Sequence, residues 1–332
     1  MARLINRRRR TKGRDRTEGA ELPEEPLHVE EITWGDLTWV NIQSPTERDT
    51  EYLAEKYDFH PLALDDCLSR KQLPKLDIYP GYLFFVFHFP FYDKETRISS
   101  KRQWSAFVGE NLLVTLHTGE LKTLTALFKD CQANEDAREE YMNSGSGFLL
   151  YSILDRAIDS YFPVLDKLME LAENVEDSVF DEYIEATKEL SIIRRDIITQ
   201  RAVMFPTRAI FIEMENKIKR FTDVDVTAYY NDLMDHINKI CETLDEVQEI
   251  IEVYKDADYT LATYRLNRVT RLLTIFSTII LPFLLVSSLF GMNVVLPGGI
   301  EAGNPVTFVI LLVIMLVIAG GMLIFFRHRR WI

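Results

Sequence analysis

Gly291, Met292 and Asn293 stand directly after a long apolar run and offer chemistry suited to a hydrated cation. The amide oxygen of Asn293 accepts hydrogen bonds from the waters around a divalent ion without displacing them. Such a group suits Mg²⁺, which dehydrates reluctantly. Gly291 lets the backbone leave a helix at this point. A tripeptide at a helix end is a weak signal alone, so its meaning depends on the elements that position it.

Two apolar runs flank this tripeptide. Residues 272–290 and 306–326 form runs of 19 and 21 residues without a charge. Each run is about long enough to cross a hydrocarbon core of roughly 30 Å at 1.5 Å per residue. We predict a transmembrane hairpin with residues 291–305 as its external loop. The alternative is a buried hairpin of a soluble protein, which is disfavoured because one domain hardly buries two uncharged helices of this length.

The basic residues predict the orientation of this hairpin. Three arginines closely precede the first run, three more lie in the basic tail 327–332, and the loop holds no Lys or Arg and one acid, Glu301. The positive-inside rule places both termini in the cytoplasm and the loop outside. We therefore predict a multi-pass protein of the cell (inner) membrane.

The charge of the remaining chain is strongly acidic. The total is -13 and residues 1–16 carry +7, which leaves -20 on the rest. This balance argues against nucleic acid as a partner and fits the attraction of cations. Residues 1–29 are predicted to be a disordered basic tail. Alternatively, this tail binds the anionic headgroups of membrane lipids. Cys67, Cys131 and Cys241 are odd in number and unpatterned, which indicates reduced thiols.

Two kinds of pattern divide the chain before the membrane. Strand and helix patterns over residues 30–146 predict an α/β cytoplasmic domain, a sheet flanked by helices. Residues 147–222 carry no strand signal and are predicted to form an antiparallel helical hairpin, its first helix about 34 residues long. Residues 223–290 are predicted to be one stalk helix, continuous with the first membrane span.

The stalk helix carries an apolar face that turns polar. Its first part repeats apolar residues at coiled-coil spacing, which leaves open whether the same chain or another copy covers them. This seam consists of Leu233, Ile237, Ile240, Leu244, Val247, Ile251 and Tyr254. The same face continues as what we call the polar stripe: Asp256, Thr260, Thr263, Asn267, Thr270, Thr274, Ser277, Leu281, Leu284 and Ser288, with Leu273 competing with Thr274 for one position.

Polar groups in an apolar helix need partners or water. The stripe residues can form hydrogen bonds to their own helix or to a neighbouring helix. Alternatively, they line a water-filled path, and the length of the stripe favours this second alternative. Two membrane helices cannot enclose such a path, so several copies must each supply one. Leu281 and Leu284 would then form a constriction that gates by dewetting. Asp256 would form a carboxylate ring, and Pro282 lets the helix bend.

These features resemble the CorA family of magnesium channels, whose mark is Gly-Met-Asn at the end of the first of two C-terminal membrane helices. The segments that carry the resemblance are "TIFSTIILPFLLVSSLFGMNVVLPGG", "FFRHRRW", "HPLALDDCLS" and "LPKLDIYPGYLFFVF". The resemblance covers the chain from residue 30 to its end. It implies a homopentameric funnel made of an α/β cytoplasmic domain, long stalk helices and a two-helix transmembrane hairpin.

The resemblance also implies residue roles. Gly291, Met292 and Asn293 correspond to the selectivity motif. The pore-lining positions correspond to Asn267, Thr270, Leu273, Thr274, Ser277, Leu281, Leu284 and Ser288. Regulatory Mg²⁺ sites between subunits would involve Asp93 and Asp232, and Asp256 would be a metal-binding acidic residue near the cytoplasmic mouth of the pore. The implied function is influx of Mg²⁺, with Co²⁺ and Ni²⁺, down the electrochemical gradient, closed when cytoplasmic Mg²⁺ bridges the subunits. The chain departs from the family pattern at two positions. The acidic residue of the external loop, Glu301, lies further along the loop than in many relatives, and Leu284 stands where the family commonly has Thr.

Three other functions compete with this interpretation. A zinc transporter of the ZntB-like branch would use the same scaffold. A membrane-anchored sensor would bind divalent ions without conducting them. An enzyme is disfavoured, because His60 and Cys67 stand seven residues apart on one predicted helix, which is poor geometry for shared metal ligation.

Overall fold

The structure, a computed structural model, describes residues 26–69, 72–93, 95, 97–180, 186–292 and 305–331. Within them, the α/β domain predicted from the sequence is confirmed. Its strands are β1 (Val29–Trp34), β2 (Leu37–Gln43), β3 (Lys75–Tyr79), β4 (Tyr82–Asp93), β5 (Ile98–Gly109) and β6 (Leu112–His117). Its helices are α1 (Glu47–Tyr57), α2 (Pro61–Leu68), α3 (Lys122–Ala133) and α4 (Glu135–Met142).

The strands form one mixed sheet in the order β1-β2-β6-β5-β4-β3. Neighbouring strands are antiparallel except β2 and β6, which pair in parallel with Trp39 opposite Leu113. The turn between β5 and β6 lies at Glu110 and Asn111. The parallel pair brings the carboxyl ends of β2 and β6 to the same edge of the sheet.

Helices α1 and α2 cover one face of the sheet and enclose an apolar core. A capping box at Thr46 and Asp49 starts α1. His60 starts α2, because its Nδ1 accepts a hydrogen bond from the Leu62 N–H at 3.2 Å. Phe107 on β5 stacks on Phe59 with ring centroids 4.1 Å apart and is fully buried.

The opposite face holds aromatic contacts and a buried polar network. Phe211 contacts Phe87 with ring centroids 5.9 Å apart. On β2 and β6, Thr115 Oγ1 donates to Asn41 Oδ1 at 2.9 Å, and Asn41 Oδ1 lies 3.1 Å from His117 Nε2. The Gly119 N–H donates to His117 Nδ1 at 2.9 Å, so His117 carries its proton on Nε2. Gly119 has a φ of +85°, and a side chain there would collide with Gln43.

The remaining described elements are helical. They are α5 (Ser146–Asp159), α6 (Phe162–Phe180), α7 (Thr187–Ile218) with a 3-10 turn at Lys219–Phe221, α8 (Thr227–Phe290) and α9 (Pro305–His328). The prediction of one helix of about 34 residues was wrong, since the chain breaks between α5 and α6. Pro163 explains the break, because it lacks the N–H that would donate to the carbonyl of Asp159, the last residue of α5, and its ring would clash with that carbonyl. The long helix is confirmed: α8 has 64 residues and passes through Pro282.

The chain divides into two compact units. One contains the residues up to Leu171 together with Ile192–Gln248, and the other contains Ala172–Ser191 together with the residues from Glu249 onward. In the first unit, seam residues from Leu233 to Val247 are at most 1% exposed, so the same chain covers them. In the second unit, the Tyr254 hydroxyl donates to Glu176 at 2.7 Å. The predicted domain boundaries, including the antiparallel hairpin, stay a prediction.

Candidate functional site

The second half of α8 exposes both apolar and polar side chains. Leu281 and Leu284 are 65% and 64% exposed, and Phe276, outside the stripe, is 63% exposed. The residues predicted to line a path, from Asn267 to Ser288, are all exposed in the single chain. Helices α8 and α9 are each long and apolar enough to cross a membrane. Side chains that are exposed in one chain therefore face lipid, water or other copies.

The hydroxyls of the polar stripe divide into two groups. Thr260, Thr263 and Thr274 donate back to backbone carbonyls four residues earlier, at 2.8, 2.9 and 2.8 Å. The hydroxyls of these three residues are therefore satisfied within their own helix, which was the alternative to a water-filled path. Within the described part of the chain, the side chains of Ser277 and Ser288 have no such hydrogen bond. Their hydroxyls remain available to water.

The end of α8 coincides with the predicted selectivity tripeptide. The Gly291 N–H donates to the Ser287 carbonyl at 2.9 Å, and the Met292 N–H donates to the Leu289 carbonyl at 3.4 Å. A Cβ at Gly291 would lie 3.1 Å from that Ser287 oxygen, closer than most side chains come to a neighbour. The tight turn thus favours glycine here. Asn293 and Glu301 lie outside the described residues.

A cluster of possible metal ligands lies apart from the stripe. One ligand atom each from Asp155 on α5 and from Asp232 and His236 on α8 lies within 4.8 Å of the others. Asp232 is the predicted regulatory residue, and the structure adds Asp155 and His236 to it. Carboxylates suit Mg²⁺, whereas imidazole also suits transition metals.

The electrostatics of this cluster favour a cation. Burial raises the pKa of Asp155, and the nearby carboxylates Asp159 and Asp232 raise it further. Burial, Asp155 and Asp232 also raise the pKa of the Tyr151 hydroxyl to about 12. His236 Nδ1 is buried without a hydrogen bond and lies 3.8 Å from Asp159 Oδ1. A bound cation would relieve the repulsion between the carboxylates.

The other two predicted metal residues do not join such a cluster. Among the residues that the structure describes, neither Asp93 nor Asp256 belongs to a group of three candidate ligands. Asp93 Oδ1 accepts a hydrogen bond from the Glu95 N–H at 2.9 Å, at the end of β4. Asp256 is exposed and lies 3.6 Å from Lys255 Nζ. Their metal-binding roles stay predictions.

Sequence reasoning missed Asp155 and His236. His236 stands four residues after Asp232 on one helix, so the two share a face, and this signal was present in the sequence. Asp155 lies on α5, and only the packing of α5 against α8 brings it near. By contrast, His60 lies outside any such cluster of described residues and caps the start of α2, and His88 and His117 are buried residues of strands.

Comparisons with known proteins match almost the whole chain. A family model described as "CorA-like Mg2+ transporter protein" matches residues 34–329. The protein YfjQ of Bacillus subtilis (strain 168) is 30% identical over 311 residues, which cover 93% of each chain. The cobalt/magnesium transport protein CorA of Thermotoga maritima is 25% identical, covering 89% of this chain and 83% of that one.

Two further matches bear on fold and on the ion. The solved structure of the CorA magnesium transporter from Methanocaldococcus jannaschii matches with a TM-score of 0.74 at 22% identity, covering 91% of this chain and 94% of that chain. At this identity it shows a shared fold. The zinc transport protein ZntB of Pectobacterium atrosepticum is 23% identical over 68% of this chain and 67% of its own.

Proposed function

The chain belongs to the family of CorA-like Mg2+ transporter proteins, and on that premise we propose that it is a channel for Mg²⁺ influx, with Co²⁺ and Ni²⁺ as surrogates. The family consists of transporters, which confirms the prediction that the chain is not an enzyme. Flux needs no second energy source, because two charges crossing 100 mV release about 4.6 kcal/mol. Arginines at the membrane flanks, and the lack of Lys and Arg in the loop, support cytoplasmic termini and an external loop.

The observation that carries the proposal is the exposed polar face of α8. Ser277 and Ser288 stand on a helix apolar enough to span a membrane, yet no group of the described chain satisfies their hydroxyls. Several copies that present this face to one axis would hydrate it. Two spans per chain cannot close a path, so we propose a homo-oligomer, and the family resemblance favours a homopentamer.

Selectivity is assigned to the residues that follow α8. A ring of Asn293 amides at the mouth would hydrogen-bond the waters of a hydrated ion, and the turn at Gly291 sets where that ring begins. Met292 completes the motif, and Glu301 would attract cations from the external loop. Leu281 and Leu284 would form the dry constriction below the ring.

Gating is assigned to cytoplasmic Mg²⁺. In the proposal, the cluster of Asp155, Asp232 and His236 is one chain's share of a site at a subunit interface, and Asp93 and Asp256 supply further carboxylates. A bound ion removes repulsion between subunits and favours the closed state. When Mg²⁺ falls, that state loses its ligand and the population shifts toward the open one.

A zinc transporter is the second candidate. The match to ZntB favours it, and His236 would suit Zn²⁺ at the regulatory cluster. The polar stripe contains neither Cys nor His, so its oxygen groups suit Mg²⁺ better.

The experiment measures ion flux into proteoliposomes that contain the purified full-length chain. Wild type is expected to admit Mg²⁺ and Co²⁺ without a proton gradient. Asn293→Ala is expected to lose flux while its assembly by size-exclusion chromatography persists. Asn304→Ala, which removes the same group elsewhere in the loop, is the matched control. Unchanged flux in Asn293→Ala would remove this residue from selectivity, and proton-dependent Zn²⁺ entry without Mg²⁺ flux would establish the zinc transporter.

A second arm of this experiment varies internal Mg²⁺. Flux is expected to fall as internal Mg²⁺ rises, and Asp155→Asn is expected to raise the inhibiting concentration about tenfold, the equivalent of about 1.4 kcal/mol of binding. Asp166→Asn, an exposed carboxylate outside the cluster, is the control. Identical inhibition curves for the two variants would show that the cluster of Asp155, Asp232 and His236 does not take part in gating.

A further inference from the structure

A cavity of about 440 Å³ lies at the sheet of the first unit, beside the end of α2. Its lining includes Cys67, His88, Lys101, Gln103, Ser105 and Thr118. His88, Gln103 and Ser105 continue the face on which Val86 and Phe107 form the apolar core, since alternate strand residues share a face. None of the residues predicted to handle ions lines it.

On the strand face that Val86 and Phe107 share, two buried polar atoms of the lining have no hydrogen bond, one on His88 and one on Gln103. His88 on β4 stands opposite Gln103 on β5, and His88 is 2% exposed. The Gln103 amide Nε2 donates to the Asp66 carbonyl at 3.1 Å, which fixes its orientation. Gln103 Oε1 and His88 Nε2 are then buried without a hydrogen bond. Leaving such atoms unsatisfied is costly, so a polar group that enters the cavity and bonds to them would stabilise the fold.

The charge of the lining is positive. Lys101 lies two residues before Gln103 on β5, and therefore on the same face. Arg102 is paired with Glu120, since Arg102 Nε lies 2.7 Å from Glu120 Oε2. Burial, and then Lys101, lower the pKa of His88 to about 4 against the opposing effect of the nearby Gln103 side chain. The ring is therefore neutral at physiological pH, and one nitrogen can donate while the other accepts. The Lys101 ammonium is therefore the charged group of this lining that can pair with an anionic ligand.

We propose that this cavity binds a small organic anion that also carries an O–H or N–H donor. The anionic group would pair with Lys101, the donor would satisfy Gln103 Oε1, and His88 Nε2 would bond to the same ligand. The cavity could hold such a metabolite, since one water occupies about 30 Å³ of liquid. A carboxylate and a phosphate ester share this chemistry. The site is independent of the proposed ion path.

The test is thermal unfolding of the full-length protein in detergent with two matched probes. L-malate supplies a carboxylate and glycerol 3-phosphate supplies a phosphate, both with a hydroxyl, and glycerol is the neutral control. A saturating concentration of the preferred probe is expected to raise the unfolding temperature by about 2–4 °C or more. Glycerol at the same concentration is expected to change nothing. The larger of the two shifts identifies the anionic group.

Variants separate binding from general stabilisation. Lys101→Gln is expected to abolish the shift, whereas Lys129→Gln, an exposed lysine outside the cavity, is expected to keep it. His88→Phe removes an unsatisfied nitrogen and is expected to lose the shift without lowering the unfolding temperature of the unliganded protein. The proposal is overturned if neither probe shifts the wild type, or if the shift survives in Lys101→Gln.

Discussion

The sheet and the second half of α8 both place polar side chains among apolar ones, but they satisfy them differently. In the sheet, Asn41, Thr115 and His117 bond to one another and are at most 3% exposed. On α8, Ser277 and Ser288 are exposed, and their hydroxyls have no hydrogen bond within the described chain. A polar group that finds its partner within the chain serves the fold. One that finds none indicates water, lipid or another copy.

The apolar side chains divide in the same way. Phe107 is enclosed by aromatic neighbours of its own chain, whereas Phe276 is exposed on a helix that can span a membrane. Burial in the sheet stabilises the single chain. Exposure on α8 is stable only in a bilayer or a detergent micelle. The two regions therefore differ in what completes them.

The largest expected effect tests this difference with one substitution in each region. Phe107→Ala is expected to lower the free energy of unfolding by about 3–5 kcal/mol, because it leaves a cavity in the packed core. Phe276→Ala is the matched variant and is expected to cost less than about 0.5 kcal/mol. Denaturant unfolding of the full-length protein in detergent measures both. A similar cost for the two would show that Phe276 packs against protein, which would break the comparison.

A smaller effect follows from the buried histidine network. Burial lowers the pKa of His117 to about 4. The unfolded chain binds this proton near pH 6.5, so the native state binds fewer protons between pH 6.5 and 4. The free energy of unfolding should therefore fall as the pH falls through that window, by up to about 1.4 kcal/mol per pH unit.

His117→Gln checks this pH dependence. The variant is expected to be less stable at neutral pH, yet its unfolding free energy should change less between pH 6.5 and 4 than that of the wild type. Unfolding by urea at four pH values in this range gives both slopes. Equal slopes would mean that His117 does not stay neutral in the folded sheet.

The smallest effect compares two hydroxyls on the polar stripe. Thr274 donates to the Thr270 carbonyl, so Thr274→Val should leave flux within about twofold. Ser277→Val removes a hydroxyl with no partner in the chain, and losing one hydrogen bond to water in the path should lower flux about fivefold. Flux into proteoliposomes measures both variants. Equal losses would show that the back-bonded hydroxyl is as important as the free one.

Local composition and periodicity made much of the fold predictable from the sequence. Segments rich in aromatic and β-branched residues identified β4, β5 and β6, and an uninterrupted helical pattern identified α8. The break between α5 and α6 was missed although Pro163 signals it. Strand β3, whose residues are half-buried or exposed, has a weaker pattern and was not predicted. Periodicity also could not tell that the seam is covered by its own chain, since that depends on tertiary packing.

The site was predictable in part for a related reason. The stripe residues share one face of one helix, so spacing alone selects them. Asp155 joins Asp232 only through the packing of two helices, and the direction of the Thr274 hydroxyl depends on its rotamer. The cavity at His88 was not foreseen, because strands and a helix end from distant parts of the sequence together form it.

The parallel pairing of β2 with β6 has a consequence for synthesis on the ribosome. Strand β2 is complete at Gln43, but β6 begins only at Leu112. Roughly 70 residues separate them, which at about 5–20 residues per second takes roughly 4–14 s. Throughout that interval the β2 residues Trp39, Val40 and Ile42 have only β1 as a neighbouring strand, although all three are inaccessible in the finished sheet. A nascent-chain chaperone would protect this protein most between the emergence of those two strands.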